Sequence, residues 1–320
     1  MISIIIPNYN GNKYLKECLD SVYAQSFKDF ELIIIDNAST DGSYEWLMAY
    51  PDIQFKRLDQ NYGFSRAVNE GIYLAKGEYV LLLNNDTIMK KDFLEEILKE
   101  MQSHPKAFAV CSKMIQYHNP ELIDDAGDEY TLMGWTRKRG DGESVLRYTR
   151  SEAVFSACAG AALYRRAVFE EIGYFDESFF AYMEDVDISY RARIYGYQNR
   201  YCASAKIHHI GSATSGSRYN EFKVRLAARN NIYVPYKNMP TVQLVLNSPF
   251  LMLGYIIKYL FFVKKGLGKA YKEGIIEGIK KVKYVKRIPF KWTHIRHYIY
   301  IEGMLIKNTI KLGVSKIKNK

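Results

Sequence analysis

The chain has 320 residues, with 45 Lys+Arg against 35 Asp+Glu, and is 48% hydrophobic and 25% charged. That balance excludes a disordered, collagen-like or coiled-coil chain and leaves enough apolar material for a sizeable core. The net charge of +10 is unevenly spread, because residues 1–240 hold 28 basic and 32 acidic side chains while residues 241–320 hold 17 and 3.

In chain order, Ile2 to Ile6 is a continuous apolar run ending at Pro7, read as a first buried strand and not as an export leader. A helix to about Gln25 follows, with Leu15, Leu19 and Val22 on one face. Glu31 to Ile35 is a second strand stopping at Asp36, and NASTDGS opens a short helix around Tyr44 to Met48. Phe55 to Leu58 predicts a weaker strand, Ser65 to Ala75 a helix with Ala67, Gly71 and Leu74 inward, and Tyr79 to Leu83 a strand ending in NNDT. Strands alternating with helices predict βαβ units and a parallel sheet, whose ligands bind at the carboxyl ends of the strands. Each of those ends is polar here: Asn8 and Asn10, Asp36, Asp59 and Asn61, then Asn84 to Asp86. Residues 105–155 read as loops and hairpins over one sheet edge. Order returns with SACAGAALYRR, a turn GYFDESFF, a helix from about Glu184 to Tyr195, the pair His208 and His209, and a helix from about Tyr219 to Lys237.

The tail differs in kind. Val242 to Val263 is apolar but interrupted by Asn247, Ser248, Pro249 and Lys258, short of the roughly 20 uncharged residues of a spanning helix. Beyond it, Leu267, Tyr271, Ile275, Ile279 and Val282 recur at helical spacing with lysines mostly elsewhere on the wheel, and IPFKWTHIRHYIYI follows. That is the pattern of an interfacial basic segment with aromatic anchors on an anionic membrane surface. The four cysteines, Cys18, Cys111, Cys158 and Cys202, form no CxxC pair, so no disulfide framework or zinc site is expected and a reducing cytosol fits.

Two strand ends carry chemistry. A carboxylate at Asp36 is able to accept the N3–H of a uracil or thymine ring, although it equally caps the helix after it. Asp86 stands where a divalent cation bridges a carboxylate to a nucleotide diphosphate. Asp185, in the first turn of a helix, is kept ionised by the macrodipole as a base must be, and Asp187 is spaced to pair with Arg191.

The ordered set SIIIPNYN, IIIDNASTDGS, NYGFSRAVNEG, LLLNNDT, ACAGAALYRR, GYFDESFFAYMEDVDISYRAR and HHIGSATSG resembles the glycosyltransferase family 2 enzymes, bacterial rhamnosyltransferase-like members above all, over residues 1–240. The resemblance implies a GT-A fold (Rossmann-like α/β, with a mainly parallel central sheet and flanking helices), a nucleotide-sugar donor, a divalent cation (Mn²⁺ or Mg²⁺) and inversion at the anomeric carbon. It implies base recognition by Asp36, donor contacts from Pro7, Tyr9, Asn61, Gly63, Arg66, Asn69, Asn84 and Asn85, and metal ligation by Asp86 and by a histidine of HHIGSATSG, with the spacing to Gly211 and Ser212 favouring His209 over His208. The family's DxD reads Asn84, Asn85, Asp86 here, so its first carboxylate is absent. Asp185 matches the catalytic base, with Glu184 orienting or acceptor-binding, Gly160 and Asp176 as acceptor contacts beside Phe175 and Glu177, and Arg229 as a phosphate contact.

The expectation is therefore a metal-assisted inverting glycosyltransferase, peripheral on the inner face of a bacterial membrane, with a catalytic domain over 1–240 and a helical membrane-associating region over 241–320. It would extend a lipid-linked cell-surface glycan from dTDP-rhamnose or a UDP-hexose, and a homo-oligomer stays open. A sugar-phosphate nucleotidyltransferase would show a Gly-rich phosphate loop after the first strand, which PNYNGN is not. A nucleic-acid binder would need a basic stripe on the acidic first 240 residues. A catalytically silent nucleotide-sugar-binding protein is the remaining rival.

Overall fold

The computed structural model describes residues 1–48, 50–211 and 219–318. Strand and helix alternate through β1 (Ile2–Asn8), α1 (Asn12–Tyr23), β2 (Phe30–Asp36), α2 (Ser43–Leu47), β3 (Ile53–Arg57), α3 (Phe64–Leu74) and β4 (Tyr79–Leu83). Then come β5 (Thr87–Met89), α4 (Phe93–Ser103), β6 (Ala107–Gln116), β7 (Ile123–Asp125), β8 (Asp128–Tyr130), β9 (Thr136–Lys138), β10 (Glu152–Val154) and β11 (Ala161–Arg165). The chain closes with α5 (Val168–Ile172), α6 (Glu184–Ile194), β12 (Gln198–His209), α7 (Glu221–Asn238), α8 (Thr241–Lys264), α9 (Gly268–Lys281) and α10 (Ile295–Lys318).

One sheet runs in the order β10-β12-β6-β11-β4-β1-β2-β3, with β5 alongside β12 and β7 alongside β6. It is parallel over β4-β1-β2-β3, where βαβ units were expected, and mixed beyond, because β11 runs antiparallel to both β4 and β6. Side chains alternate across it. Ile4 and Ile6 of β1 pack with Leu15, Leu19 and Phe93 on one face, while Ile5 packs with Val68 and Ile188 on the other.

The reading of 105–155 as edge loops is overturned by β6, ten residues long and internal to the sheet. Its polar Ser112 and Lys113 hid it in the sequence, yet both are buried, and Lys113 Nζ donates to the carbonyls of Val145 (2.5 Å) and Arg147 (2.8 Å). β12 was likewise not foreseen, although its last residues carry the two histidines.

The helices after residue 240 pack against the part of the chain before it. Tyr298, Ile301 and Leu305 of α10 share a core with Tyr130, Phe155, Phe179 and Tyr190, and Asn308 Nδ2 donates to the Tyr130 carbonyl at 3.0 Å. α9 is also rotated from its expected stripe: it rests on α7 through Ala270, Tyr271, Gly274 and Gly278, leaving Ile279 exposed. A Cβ at Gly274 would stand 2.2 Å from the Arg225 carbonyl oxygen, so glycine sets how near the two helices lie.

Candidate active site

The in-register pairing of β1, β2 and β3 places Asn8 opposite Asp36, and Asp36 opposite Arg57. Asn8 is wholly buried and donates to Asp36 Oδ1 at 2.9 Å, while its carbonyl oxygen accepts from Asn85 Nδ2 at 2.8 Å. One asparagine thereby ties together the carboxyl ends of three strands. Asp36 Oδ2 accepts from the Ser39 backbone N–H at 3.0 Å and lies 3.5 Å from Arg57 Nε. An ionised carboxylate has about four acceptor positions, so these bonds use three of them on a side chain that is wholly buried. Asn37 bonds Asn61 Oδ1 (2.9 Å), the Gly63 carbonyl (3.0 Å) and the Tyr62 N–H (2.9 Å), which fixes the loop that opens α3. Beside it lies a cleft of about 500 Å³ lined by Lys56, Arg57, Leu58, Asp59, Tyr62 and Arg66. Pro7 and the exposed Tyr9 border the same strand edge.

Several anticipated contacts have other work. Both ends of the Asn69 amide bond the Phe175 backbone, at 2.8 and 3.0 Å. Arg66 pairs with Glu70 at 2.6 Å and Glu177 at 3.2 Å. Gly160 is buried under Asn84, accepting its N–H at 2.8 Å, and is not an open acceptor surface. Asp176 accepts from the Ser178 N–H and from Lys237 Nζ at 2.5 Å; burial works against its charge, but Lys237 holds its carboxyl below the usual range. Arg229 donates to the carbonyls of Ser178 (3.0 Å) and Phe179 (2.8 Å).

These bonds explain how Asp185 is presented. Phe180, Tyr182 and Met183 all have positive φ (63°, 69° and 73°), which costs free energy for residues other than glycine and persists only where surroundings over-determine it. α7 supplies that constraint: Asn230 Nδ2 lies 2.7–2.9 Å from the carbonyls of Phe179, Ala181 and Tyr182. The strained loop delivers Asp185 into the first turn of α6, whose positive end favours a carboxylate there. Asp185 Oδ1 accepts from the Val186 N–H at 2.8 Å. Burial raises its pKa, while the N–H groups of Val186 and Ala159 and the charge of Lys138 pull it back. Glu184 is buried with Oε2 unpartnered among the described residues, and burial together with the Asp185 charge pushes its carboxyl well above the usual range. It stands buried beside Asp185 at the start of α6. Asp187 pairs with Arg191 at 3.0 Å, as its spacing predicts, and also with Lys237 at 3.0 Å.

Adjacent residues of a strand face opposite sides, so only one of the two histidines reaches Asp86 and Asp124. It is His209, whose Nε2 lies 3.4 Å from Asp86 Oδ1 and whose Nδ1 lies 2.8 Å from Asp124 Oδ2. Burial opposes protonation of His209, but the hydrogen bonds to Asp124 and Asp86 raise it to about 9. Ser212, the other half of that spacing argument, lies outside the described residues. Asp124 is also 3.3 Å from Lys138 Nζ, and Lys138 sits in the field of Asp125 and Asp128 as well. Burial pushes Asp125 up to about 6, and its Oδ2 has no partner among the described residues.

Asp124, Asp125, Asp128 and Lys138 were missed in the sequence. IDDAGDEY was the available signal, a dense acidic run between two short apolar stretches.

Among the described residues no three His, Cys, Asp or Glu side chains converge as a ready metal cage. The donor set does fit a cation shared with a substrate: a carboxylate oxygen and an imidazole nitrogen face each other, and Asp124 holds the other ring nitrogen as a supporting carboxylate does behind a metal-bound histidine.

Polar strand ends beside a cleft, an acid–histidine pair and a carboxylate at a helix start stand on a sheet of the GT-A fold. The chain belongs to glycosyl transferase family 2, whose sequence profile matches residues 3–173. It is 33% identical over 106 residues to the glycosyltransferase GlyG of Streptococcus pneumoniae serotype 4, covering 32% of this chain and 35% of that one. It is 25% identical over 207 residues to the poly-beta-1,6-N-acetyl-D-glucosamine synthase of Staphylococcus epidermidis, covering 62% and 47%. The chain thus spans half or less of the length of these relatives. Among solved structures, the mannosyltransferase PcManGT from Pyrobaculum calidifontis, in complex with GDP-Man and Mn²⁺, superposes with a TM-score of 0.53 at 16% identity, over 88% of this chain and 87% of that one.

Proposed function

We propose that the protein is an inverting glycosyltransferase that moves a sugar from a nucleotide diphosphate to a hydroxyl of a growing cell-surface glycan carried on a membrane lipid. The observation that carries this reading is the chain of ion pairs from Lys138 through Asp124 to His209 and Asp86, with Asp185 at the start of α6 within the field of Lys138. It joins a base at one end to a diphosphate-facing pair at the other.

In this reading the donor lies along the strand ends, its base at Asp36 and its diphosphate toward Asn84, Asn85 and Asp86. Asp185 takes the proton of the acceptor hydroxyl, whose oxygen attacks the anomeric carbon opposite the diphosphate. The carbon–oxygen bond to the diphosphate breaks as the new glycosidic bond forms. Asp86 and His209 would hold a divalent cation, whose charge stabilises the leaving group. Burial works against the charge of Asp185, and the N–H groups of Val186 and Ala159 together with the charge of Lys138 oppose that effect, which supports its use as the base.

Asp185→Asn is expected to bind donor with unchanged affinity by calorimetry and to lose transfer by about 10³-fold or more. Normal turnover in that variant would overturn the assignment. A panel of dTDP-rhamnose and UDP-hexoses with Mn²⁺ or Mg²⁺, read by release of nucleoside diphosphate, names the donor.

A further inference from the structure

α8 inverts the usual order of a surface helix. Its polar residues face the protein: Gln243 Nε2 and Asn247 Nδ2 donate to Glu302 Oε2 at 2.6 and 3.0 Å, and the Tyr255 hydroxyl donates to the Asn231 carbonyl at 3.2 Å. Lys258 lies 5.8 Å over the Trp135 ring. The residues that interrupted the apolar run in the sequence are thus mostly turned inward. The outer face carries Val242, Val245, Leu246, Phe250, Met252, Leu253, Ile256, Leu260 and Val263, with Val242 72% and Leu246 68% exposed. Between Val242 and Val263 every fully exposed side chain is apolar or aromatic. Water penalises such a face, and soluble monomers rarely keep one.

What surrounds it is cationic. Lys264, Lys265 and Lys269 are exposed at its carboxyl end, and Arg296, Lys307 and Lys311 lie on the outer face of α10. Neither helix exposes an acid, since Glu302, the single acid of the two, is spent on Gln243 and Asn247. A second copy of this chain would bring the same positive charge against it, whereas an anionic lipid surface brings the opposite one. α8 is long and apolar enough to cross a membrane. Crossing would require leaving the bonds to Glu302 and Asn231, and would pull Gly254 from its seat: the Trp135 indole N–H donates to the Gly254 carbonyl at 3.2 Å, and a Cβ at Gly254 would stand 2.3 Å from the Met133 carbonyl oxygen.

We infer that α8 lies in the plane of an anionic bilayer, with its outer face among the acyl chains and its inner face on the catalytic body. The seat of α8 is the turn joining β8 to β9. That hairpin carries Lys138 of the active-site network, and its Thr136 hydroxyl donates to Met183 Sδ, one residue before Glu184, at 3.4 Å. The membrane surface thereby meets the element that borders the site, as a lipid-linked acceptor requires. This deepens the function proposed above, but vesicle binding needs no sugar donor, so the two fail separately.

The test is sedimentation of the full chain with vesicles of phosphatidylcholine alone or mixed with phosphatidylglycerol, beside the variant Leu246→Gln/Leu253→Gln/Leu260→Gln, whose sites are exposed. The wild type is expected to bind the mixed vesicles, to bind neutral vesicles at least tenfold more weakly, to release in carbonate at pH 11, and to lose binding in the variant while circular dichroism is unchanged. Retention through the carbonate wash, equal binding by the variant, or a wild-type dimer that ignores vesicles and becomes monomeric in the variant would each overturn the inference.

Discussion

The strand-end cleft and the outer face of α8 both break the rule of apolar inside and polar outside, in opposite senses. At the strand ends and around α6 charges stand in pairs, several of them buried or half-buried: Lys138 with Asp124, His209 between Asp86 and Asp124, and the buried Lys237 between Asp176 and Asp187. On α8 apolar side chains are exposed and stay largely uncovered by the described residues. Burying a charge is costly unless it is paired, so a chain that retains several has them held in place for chemistry. An exposed apolar face has no internal compensation, so its partner lies outside the molecule.

The largest test of this contrast is truncation after Pro240. The inner faces of α8 and α10 belong to the core, and removing them strips Tyr298, Ile301 and Leu305 from Tyr130 and Tyr190. The truncated chain is expected to be insoluble or to lack a cooperative melting transition, unlike the outer-face variant. A soluble truncation melting within a few degrees of the full chain would restore the division read from the sequence.

Around α6, Lys237→Met is expected to cost about 3–5 kcal/mol in urea unfolding, because it leaves Asp176 and Asp187 buried with less compensation. The surviving Arg191 bond to Asp187 puts the value toward the lower end. A loss below about 1 kcal/mol would mean that these buried charges are solvated after all.

What the sequence disclosed follows from how locally each feature is encoded. The strands β1, β2 and β4 were legible because a strand buried on both faces is a plain apolar run, and the places of Asp36, Asp86, Asp185 and His209 at the ends of elements followed from those runs and the motifs around them. β6 was not, since the burial of Lys113 depends on carbonyls more than 30 residues away. Asn69, Asp176 and Arg229 looked like ligand contacts because the residue type is the same whether it binds a substrate or a backbone; only tertiary structure shows the 174–183 loop that they hold. The inward turn of Asn247 and Lys258 is of the same kind, since a helical wheel shows faces but not which one is covered.

The finest test concerns Asp124. If the buried charges of the cleft are there for position, removing one whose contacts are all to other side chains should change what a neighbour does before it changes stability. Asp124 accepts at His209 Nδ1, so it keeps a hydrogen there and leaves Nε2 directed at Asp86. Asp124→Asn preserves the shape and removes the charge, and its amide can turn a donor toward Nδ1, favouring the other tautomer. The variant is expected to bind Mn²⁺ about 10–100-fold more weakly by water-proton relaxation, and to show the changed His209 tautomer in its ¹⁵N shifts, with the melting temperature nearly unchanged. Unaltered Mn²⁺ affinity and tautomer would reduce Asp124 to a partner of Lys138, and the network from Asp185 to Asp86 would then be broken at its middle.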